Sequence, residues 1–212
     1  MSALLTEPLH GVLDRLHTAA LRDDDLDLAS LPPGASAQQR ADALASAYMP
    51  VSAQGGRLLY SLVRSARPQT IVEFGTSYGI STLYLAAAVR DNGAGRVVTT
   101  ELSSTKVAAA RANLAEAGVA DLVDVRPGDA LQTLATVDGA IGLVLLDGWK
   151  DLYLPVLRLL EPRLAPGALV IGDDSSFSSV QPYLDHVRDP ANGYLSVAFP
   201  VDDGMEISCR IG

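Results

Sequence analysis

The segment Ile141–Leu146, IGLVLL, runs for six residues without a polar side chain. A strand with one face in water alternates polar and apolar residues, so this run reads as a central strand of a parallel sheet, covered on both faces. Thr70–Phe74, Arg96–Thr100, Leu122–Val125 and Ala168–Ile171 are further short β-rich runs. Between and after them, Ile80–Val89, Ser104–Ala117 (ending at Gly118 as a C-cap), Ala130–Val137, Leu152–Leu164 and Phe177–Val187 have helical spacing, and Pro166-Gly167 reads as a turn. Strands alternating with helices predict a parallel sheet with right-handed crossovers. Tyr194–Pro200 and Glu206–Ile211 have no helix between them, only the turn Asp202-Asp203-Gly204, and so predict an antiparallel pair at one edge. The expectation is an α/β chain with a seven-stranded sheet, mostly parallel with one antiparallel edge strand, and helices on both faces. Residues 1–68 read as extra N-terminal helices, split in two by Pro32-Pro33-Gly34, and residues 69–212 as the core of one domain spanning 1–212.

With 48% hydrophobic residues the chain can build a sizeable core, and only the stretch Leu31–Ala37 reads as disordered. A net charge of -9 and the lack of any basic run disfavour a nucleic-acid partner. No window is apolar enough to span a membrane, and the amphipathic start lacks the pattern of a signal peptide. The single cysteine, Cys209, excludes an intramolecular disulfide and a multi-cysteine zinc site. A cytoplasmic protein is the expectation.

The strongest local signal is Ile71–Ala86, IVEFGTSYGISTLYLA, a strand entering a Gly-rich turn and then a helix. Gly75 and Gly79 permit close approach of a ligand to backbone, and the helix start offers free N–H groups. The middle glycine of the dinucleotide fingerprint is missing, since Thr76, Ser77 and Tyr78 separate Gly75 from Gly79. That argues against a pyrophosphate and for an amino-acid carboxylate or a sulfonium nucleoside on a Rossmann-like sheet. Glu73 is placed to meet a ligand amino group. Glu101 ends the second strand, where a carboxylate accepts ribose hydroxyls. Asp129 can accept from an adenine amino group, or equally cap the helix opening at Ala130. Asp147 ends the fourth strand, and Asp173 and Asp174 follow the fifth. Three converging carboxylates need a counter-charge, which a hard divalent cation supplies; the competing reading makes Asp147 and Asp174 helix caps.

The segments AYMPVSAQGGRLL, VEFGTSYGIS, the Glu101 strand end, DGWKDLYLP and GDD cover roughly Tyr48–Asp174. They resemble the class I, metal-dependent O-methyltransferases, the family of catechol and caffeoyl-coenzyme A O-methyltransferases. DGWKDLYLP is the most specific, being similar to the catechol enzymes' D-x-W-K-D-x-Y-L-P. The resemblance implies S-adenosylmethionine as methyl donor, held by Val51, Glu73, Gly75, Thr76, Ser77, Gly79, Ser81, Glu101, Leu102, Asp129, Ala130, Asp147 and Trp149. It implies Mg²⁺ or another divalent cation on Asp147, Asp173 and Asp174. Lys150 becomes the general base and Trp149 a shield beside the methyl donor. By themselves those two residues read as an exposed first-turn lysine and a packed aromatic. The acceptor implied is a small phenolic molecule; Tyr48, Met49, Phe177 and Tyr183 are candidate lining, each of them equally readable as core, and a homodimer through the N-terminal helices or late strands is a further expectation.

The chain departs from that family in carrying Asp174 where Asn is usual, Gly148 where the catechol enzymes have a bulkier residue, and no match for their late glutamate near Tyr194–Pro200. These departures bear on the acceptor rather than on the donor pocket. Alternatives are methylation of a hydroxylated uridine in transfer RNA, which the acidic balance opposes, a nicotinamide-dependent oxidoreductase, which the missing glycine opposes, and a non-catalytic module that keeps the donor pocket.

Overall fold

The computed structural model describes residues 2–25 and 34–212. The break at Pro32-Pro33 and the first part of Leu31–Ala37 lie outside the described residues. The end of that stretch is ordered: Ser36 caps helix α2 (Ala37–Ala43) through a capping box, its hydroxyl accepting from the Gln39 N–H and the Gln39 side chain accepting from the Ser36 N–H.

Seven strands form one sheet in the order β3-β2-β1-β4-β5-β7-β6. They are β1 (Thr70–Phe74), β2 (Arg96–Glu101), β3 (Val123–Pro127), β4 (Ile141–Leu146), β5 (Leu164–Gly172), β6 (Tyr194–Phe199) and β7 (Met205–Arg210). β1 to β5 run parallel, and β7 is antiparallel to both of its neighbours. The expected antiparallel pair thus stands at one edge, with β7 inserted between β5 and the outermost β6.

β4 behaves as its composition requires. Leu143 and Leu145 point into one core with α1 (Leu9–Ala20), α3 (Ala53–Ala66), α4 (Ile80–Asn92) and α5 (Ser104–Glu116). Val144 and Leu146 point into a second core with α6 (Ala130–Thr133), α7 (Tyr153–Leu160) and α8 (Gln181–Arg188). Burial of both faces is what removes the alternation. No helix among the described residues is long and apolar enough to cross a membrane.

Four expected elements change their bounds. The helix expected over Leu152–Leu164 is α7 alone, flanked by 3₁₀ turns at Lys150–Leu152 and Glu161–Arg163. Leu164 opens β5 instead, because it pairs with Ile141, and Pro166-Gly167 fall inside that strand beside a register shift. The helices at Ala130 and Phe177 each exchange part of their length for a 3₁₀ turn, at Leu134–Thr136 and Ser178–Val180.

Candidate active site

Strand register sets the site. Phe74 pairs with Thr100 and with Leu146, and Leu146 pairs with Gly172. The next residues on these strands, Gly75, Glu101, Asp147 and Asp173, therefore stand on one rim. A cavity of about 790 Å³ opens over that rim, within the range that encloses a drug-sized ligand.

Of the residues singled out by sequence, the wall takes Gly75, Thr76, Ser77 and Ser81 from the β1–α4 turn, and Glu101 and Leu102 from the end of β2. Asp129 and Ala130 come from beyond β3, and Val51 from the segment before α3. Asp147, Trp149 and Lys150 follow β4, and Asp173 and Asp174 follow β5. Tyr48, Met49 and Phe177 also line it.

Three of the residues singled out stand off the wall. Glu73 is off the wall: it is fully buried, accepting from the Ser81 hydroxyl at 2.6 Å and the Thr82 hydroxyl at 2.5 Å. Its side chain points along the strand's other alternation, into the sheet–helix interface, where burial raises its pKa. Ser81, which donates to it, does line the cavity. Gly79 is also off the wall; with φ +89° it starts α4 in the left-handed region, where a side chain is disfavoured. Tyr183 is a core residue of α8, packed under Gly172.

The turn after β1 is fixed by Glu101, which accepts from the Ser77 N–H and the Ser103 N–H, each at 2.8 Å. The Ser77 hydroxyl donates to the Tyr48 carbonyl at 2.7 Å, and the Tyr48 and Tyr78 rings stack at 4.0 Å. Asp129 does cap its helix, accepting from the Leu131 N–H at 2.9 Å, while still facing the cavity; the two readings of this residue coexist.

The acids after β4 and β5 are not caps. The 3₁₀ turn at Lys150 begins at Trp149 without a side-chain cap, and Asp174 sits in the left-handed region at φ +55°. Asp147, Asp173 and Asp174 each offer a carboxylate oxygen within 4.8 Å of the others. Lys150 Nζ lies 2.6 Å from Asp174 and 3.6 Å from Asp147, and donates to the Tyr153 hydroxyl at 2.8 Å. The Tyr153 hydroxyl in turn donates to the Asp173 carbonyl at 3.2 Å. Burial, then the neighbouring Asp173, raises the Asp147 pKa well above the usual range. Burial and Asp174 push Asp173 up to about 7. Burial lowers the Lys150 pKa, but Asp147 and Asp174 outweigh it and the net direction is upward.

This donor set fits a hard cation. One oxygen of Asp173 is buried without a hydrogen-bond partner among the described residues, and buried acceptors left unpaired are rare. Three clustered carboxylates against one ammonium are under-compensated, and oxygen ligands suit Mg²⁺.

Sequence reading passed over two contributors. Arg40 of α2 stacks its guanidinium on the Trp149 ring at 4.5 Å and pairs with Asp151 at 3.2 Å, so α2 closes the outer wall with Ala41 and Leu44. Nothing local announces that contact. Lys106 of α5 lines the cavity and is only 3% exposed; its place on the inward stripe with Ala110 and Asn113 is visible in the helical spacing.

Known proteins agree with this geometry. A methyltransferase-domain family matches residues 72–175, from within β1 to just past Asp174; fold and site together define a methyltransferase domain. Catechol O-methyltransferase of Mycobacterium tuberculosis is 35% identical over 144 residues, covering 68% of this chain and 64% of the relative. Catechol O-methyltransferase of Sus scrofa is 30% identical over 148 residues, covering 66% of this chain and 78% of the relative. The O-methyltransferase TomG from Streptomyces achromogenes, involved in tomaymycin synthesis and solved in complex with SAM, superposes with a TM-score of 0.74 at 26% identity, covering 99% of this chain and 92% of that one. The chain belongs to the class I O-methyltransferase family that includes the catechol and caffeoyl-coenzyme A enzymes. It spans less than two thirds of the mycobacterial relative's length. Membership sets aside the oxidoreductase alternative.

Proposed function

We propose that the protein is an S-adenosylmethionine-dependent O-methyltransferase that methylates a small phenolic or catechol-type hydroxyl with the help of a divalent cation. The observation that carries this reading is the meeting of Asp147, Asp173, Asp174 and Lys150 on one wall of the cavity whose other wall holds Glu101.

The residues divide the work. Glu101, fixed by two N–H donors, keeps lone pairs free for a ribose diol. Asp129, Ala130 and Leu131 flank the adenine end. Ser81, held by Glu73, and Val51 stand at the amino-acid end. Trp149, clamped by Arg40, screens the reacting centre from water. The donor supplies an electrophilic methyl on a sulfonium. Asp147, Asp173 and Asp174 would hold the cation, which stabilises the deprotonated form of an acceptor hydroxyl whose own pKa is about 10. Lys150 takes the hydroxyl proton. Its ammonium form is favoured while the carboxylates face it uncompensated, so it becomes a base only when their charge is engaged elsewhere. The fixed walls then bring acceptor oxygen and methyl carbon into near-attack geometry.

A homodimer through β6 accompanies this reading. Leu195, Val197 and Phe199 alternate along the outermost strand and are 66%, 59% and 41% exposed. An exposed outermost strand with apolar side chains is a template for pairing with a second copy; light scattering of the wild type against Val197→Asp tests it.

The functional test is a methyl-transfer screen over catechols, hydroxycinnamates and flavonoids, read by mass spectrometry, with the wild type and Asp173→Ala. A product 14 Da heavier from the wild type, and at least a hundredfold less from Asp173→Ala, is expected, since a metal ligand and its charge are lost together. Equal turnover by the two proteins contradicts the reading.

A further inference from the structure

Lys106 is the buried cation that the scheme above leaves without a task. It sits in the first turn of α5, its N–H on the Ser103 hydroxyl. The residue is 3% exposed, yet it lies on the cavity wall. No side-chain hydrogen bond or ion pair engages its Nζ among the described residues; the Tyr78 ring, 6.0 Å away, is its nearest recorded companion of matching character. An ammonium has three donors and no acceptor, so on the cavity wall these donors are open to whatever fills the cavity. Burial lowers its pKa, and Glu101, then Asp23, then Asp147 draw it back up. Ser103 links the two residues, its N–H on the Glu101 carboxylate and its hydroxyl accepting from the Lys106 N–H, which places Lys106 at the Glu101 end of the cavity.

The two groups at that end are complementary. Glu101 only accepts and two of its lone pairs already serve backbone N–H groups; Lys106 only donates. A vicinal diol needs both, because each hydroxyl donates once and has lone pairs to fill. We propose that Lys106 is a donor-binding residue that gives a hydrogen bond and a positive charge to the ribose at the adenosyl end of the bound nucleoside, opposite Glu101. This rests on the reading of the cavity as an S-adenosylmethionine site. Among the described residues the Nζ has no hydrogen-bond acceptor, and binding supplies one.

The test is calorimetric titration of the wild type, Lys106→Met and Lys106→Arg with two probes, S-adenosylhomocysteine and methylthioadenosine, beside thermal melts of each free protein. Methylthioadenosine keeps the adenosyl end and lacks the amino acid. Lys106→Met is expected to bind both probes about 10- to 100-fold more weakly, the weight of one charged hydrogen bond. Lys106→Arg should recover part of the loss. The free Lys106→Met protein should melt no lower than the wild type, since no side-chain hydrogen bond or ion pair among the described residues is lost with the ammonium; weaker binding without lost stability is a pattern that a purely structural lysine does not give. Equal binding by wild type and Lys106→Met overturns the proposal. So does a loss seen with S-adenosylhomocysteine and absent with methylthioadenosine, which puts Lys106 at the amino-acid end. A wild type that binds neither probe overturns the donor-site reading itself, and this inference with it.

Discussion

Gly148 offers a perturbation whose size follows from the structure. A Cβ built there would lie 2.5 Å from Phe74 Cζ and 2.7 Å from both Cε atoms. Its backbone is outside the left-handed region, so the ring contact alone decides the outcome. Carbon atoms rest at about 3.5–4.0 Å, and Gly148→Ala therefore requires Phe74 to retreat by roughly 1 Å. Phe74 packs edge-on against Tyr153 with centroids 6.3 Å apart, and Tyr153 accepts from Lys150 and donates to the Asp173 carbonyl. The strain thus travels to the base and to a proposed metal ligand. Overpacking of this kind costs about 1–3 kcal/mol, which for 212 residues lowers Tm by roughly 2–12 °C. kcat/KM should fall with it. Phe74→Leu in the same chain makes room, and a double-mutant cycle by calorimetry should show the two changes coupled by more than about 0.5 kcal/mol. A Gly148→Ala protein with wild-type Tm and kcat/KM, or strictly additive changes, would refute the reasoning.

Two further outcomes are expected. Asp174→Asn removes one charge from a cluster whose oxygens lie within 4.8 Å, where a unit pair is worth roughly 3–4 kcal/mol at an effective dielectric of 20. Relief of carboxylate repulsion offsets most of that, so the Mg²⁺ concentration for half-activity should rise roughly tenfold, while KM for an anionic catechol falls; unchanged values of both count against the charge argument. At the opposite end of the sheet, burial raises the Asp91 pKa, but hydrogen bonds from Tyr60 at 2.6 Å, the Ala3 N–H at 3.0 Å and Ser2 at 2.8 Å hold it below its ordinary 3.8. A depressed carboxylate stabilises above its unfolded pKa and ceases to as pH falls through its folded one. Asp91→Asn should therefore lower Tm at pH 7, by the equivalent of about 1–3 kcal/mol, with the gap closing below pH 3.8; melts at pH 7 and pH 3 showing the same gap contradict it.

The strand ends were legible in the sequence because burial on both faces writes itself as unbroken apolar runs, as in Ile141–Leu146, and because a parallel sheet brings all carboxyl ends to one rim. Asp147, Asp173, Asp174 and Glu101 follow from that alone. What stayed hidden depends on long-range packing. Glu73 looks like a ligand residue by position, yet the alternation along β1 turns it inward to Ser81 and Thr82. Leu164 looks helical by spacing, yet its pairing with Ile141 decides otherwise. Arg40 is an ordinary surface arginine until α2 folds across to Trp149. Lys106 was legible in principle: a lysine on the inward stripe of a helix is a conflict between pattern and charge, and such conflicts mark sites.

The most direct test of the central claim is the rate of methyl transfer from S-adenosylmethionine to one accepted catechol, followed while EDTA is added in excess and Mg²⁺ then restored. Asp147, Asp173 and Asp174 as a cation site require the rate to fall to the uncatalysed level with EDTA and to return with Mg²⁺. A rate that persists undiminished in EDTA would contradict the account, leaving the three acids and Lys150 as a purely protein-paired cluster.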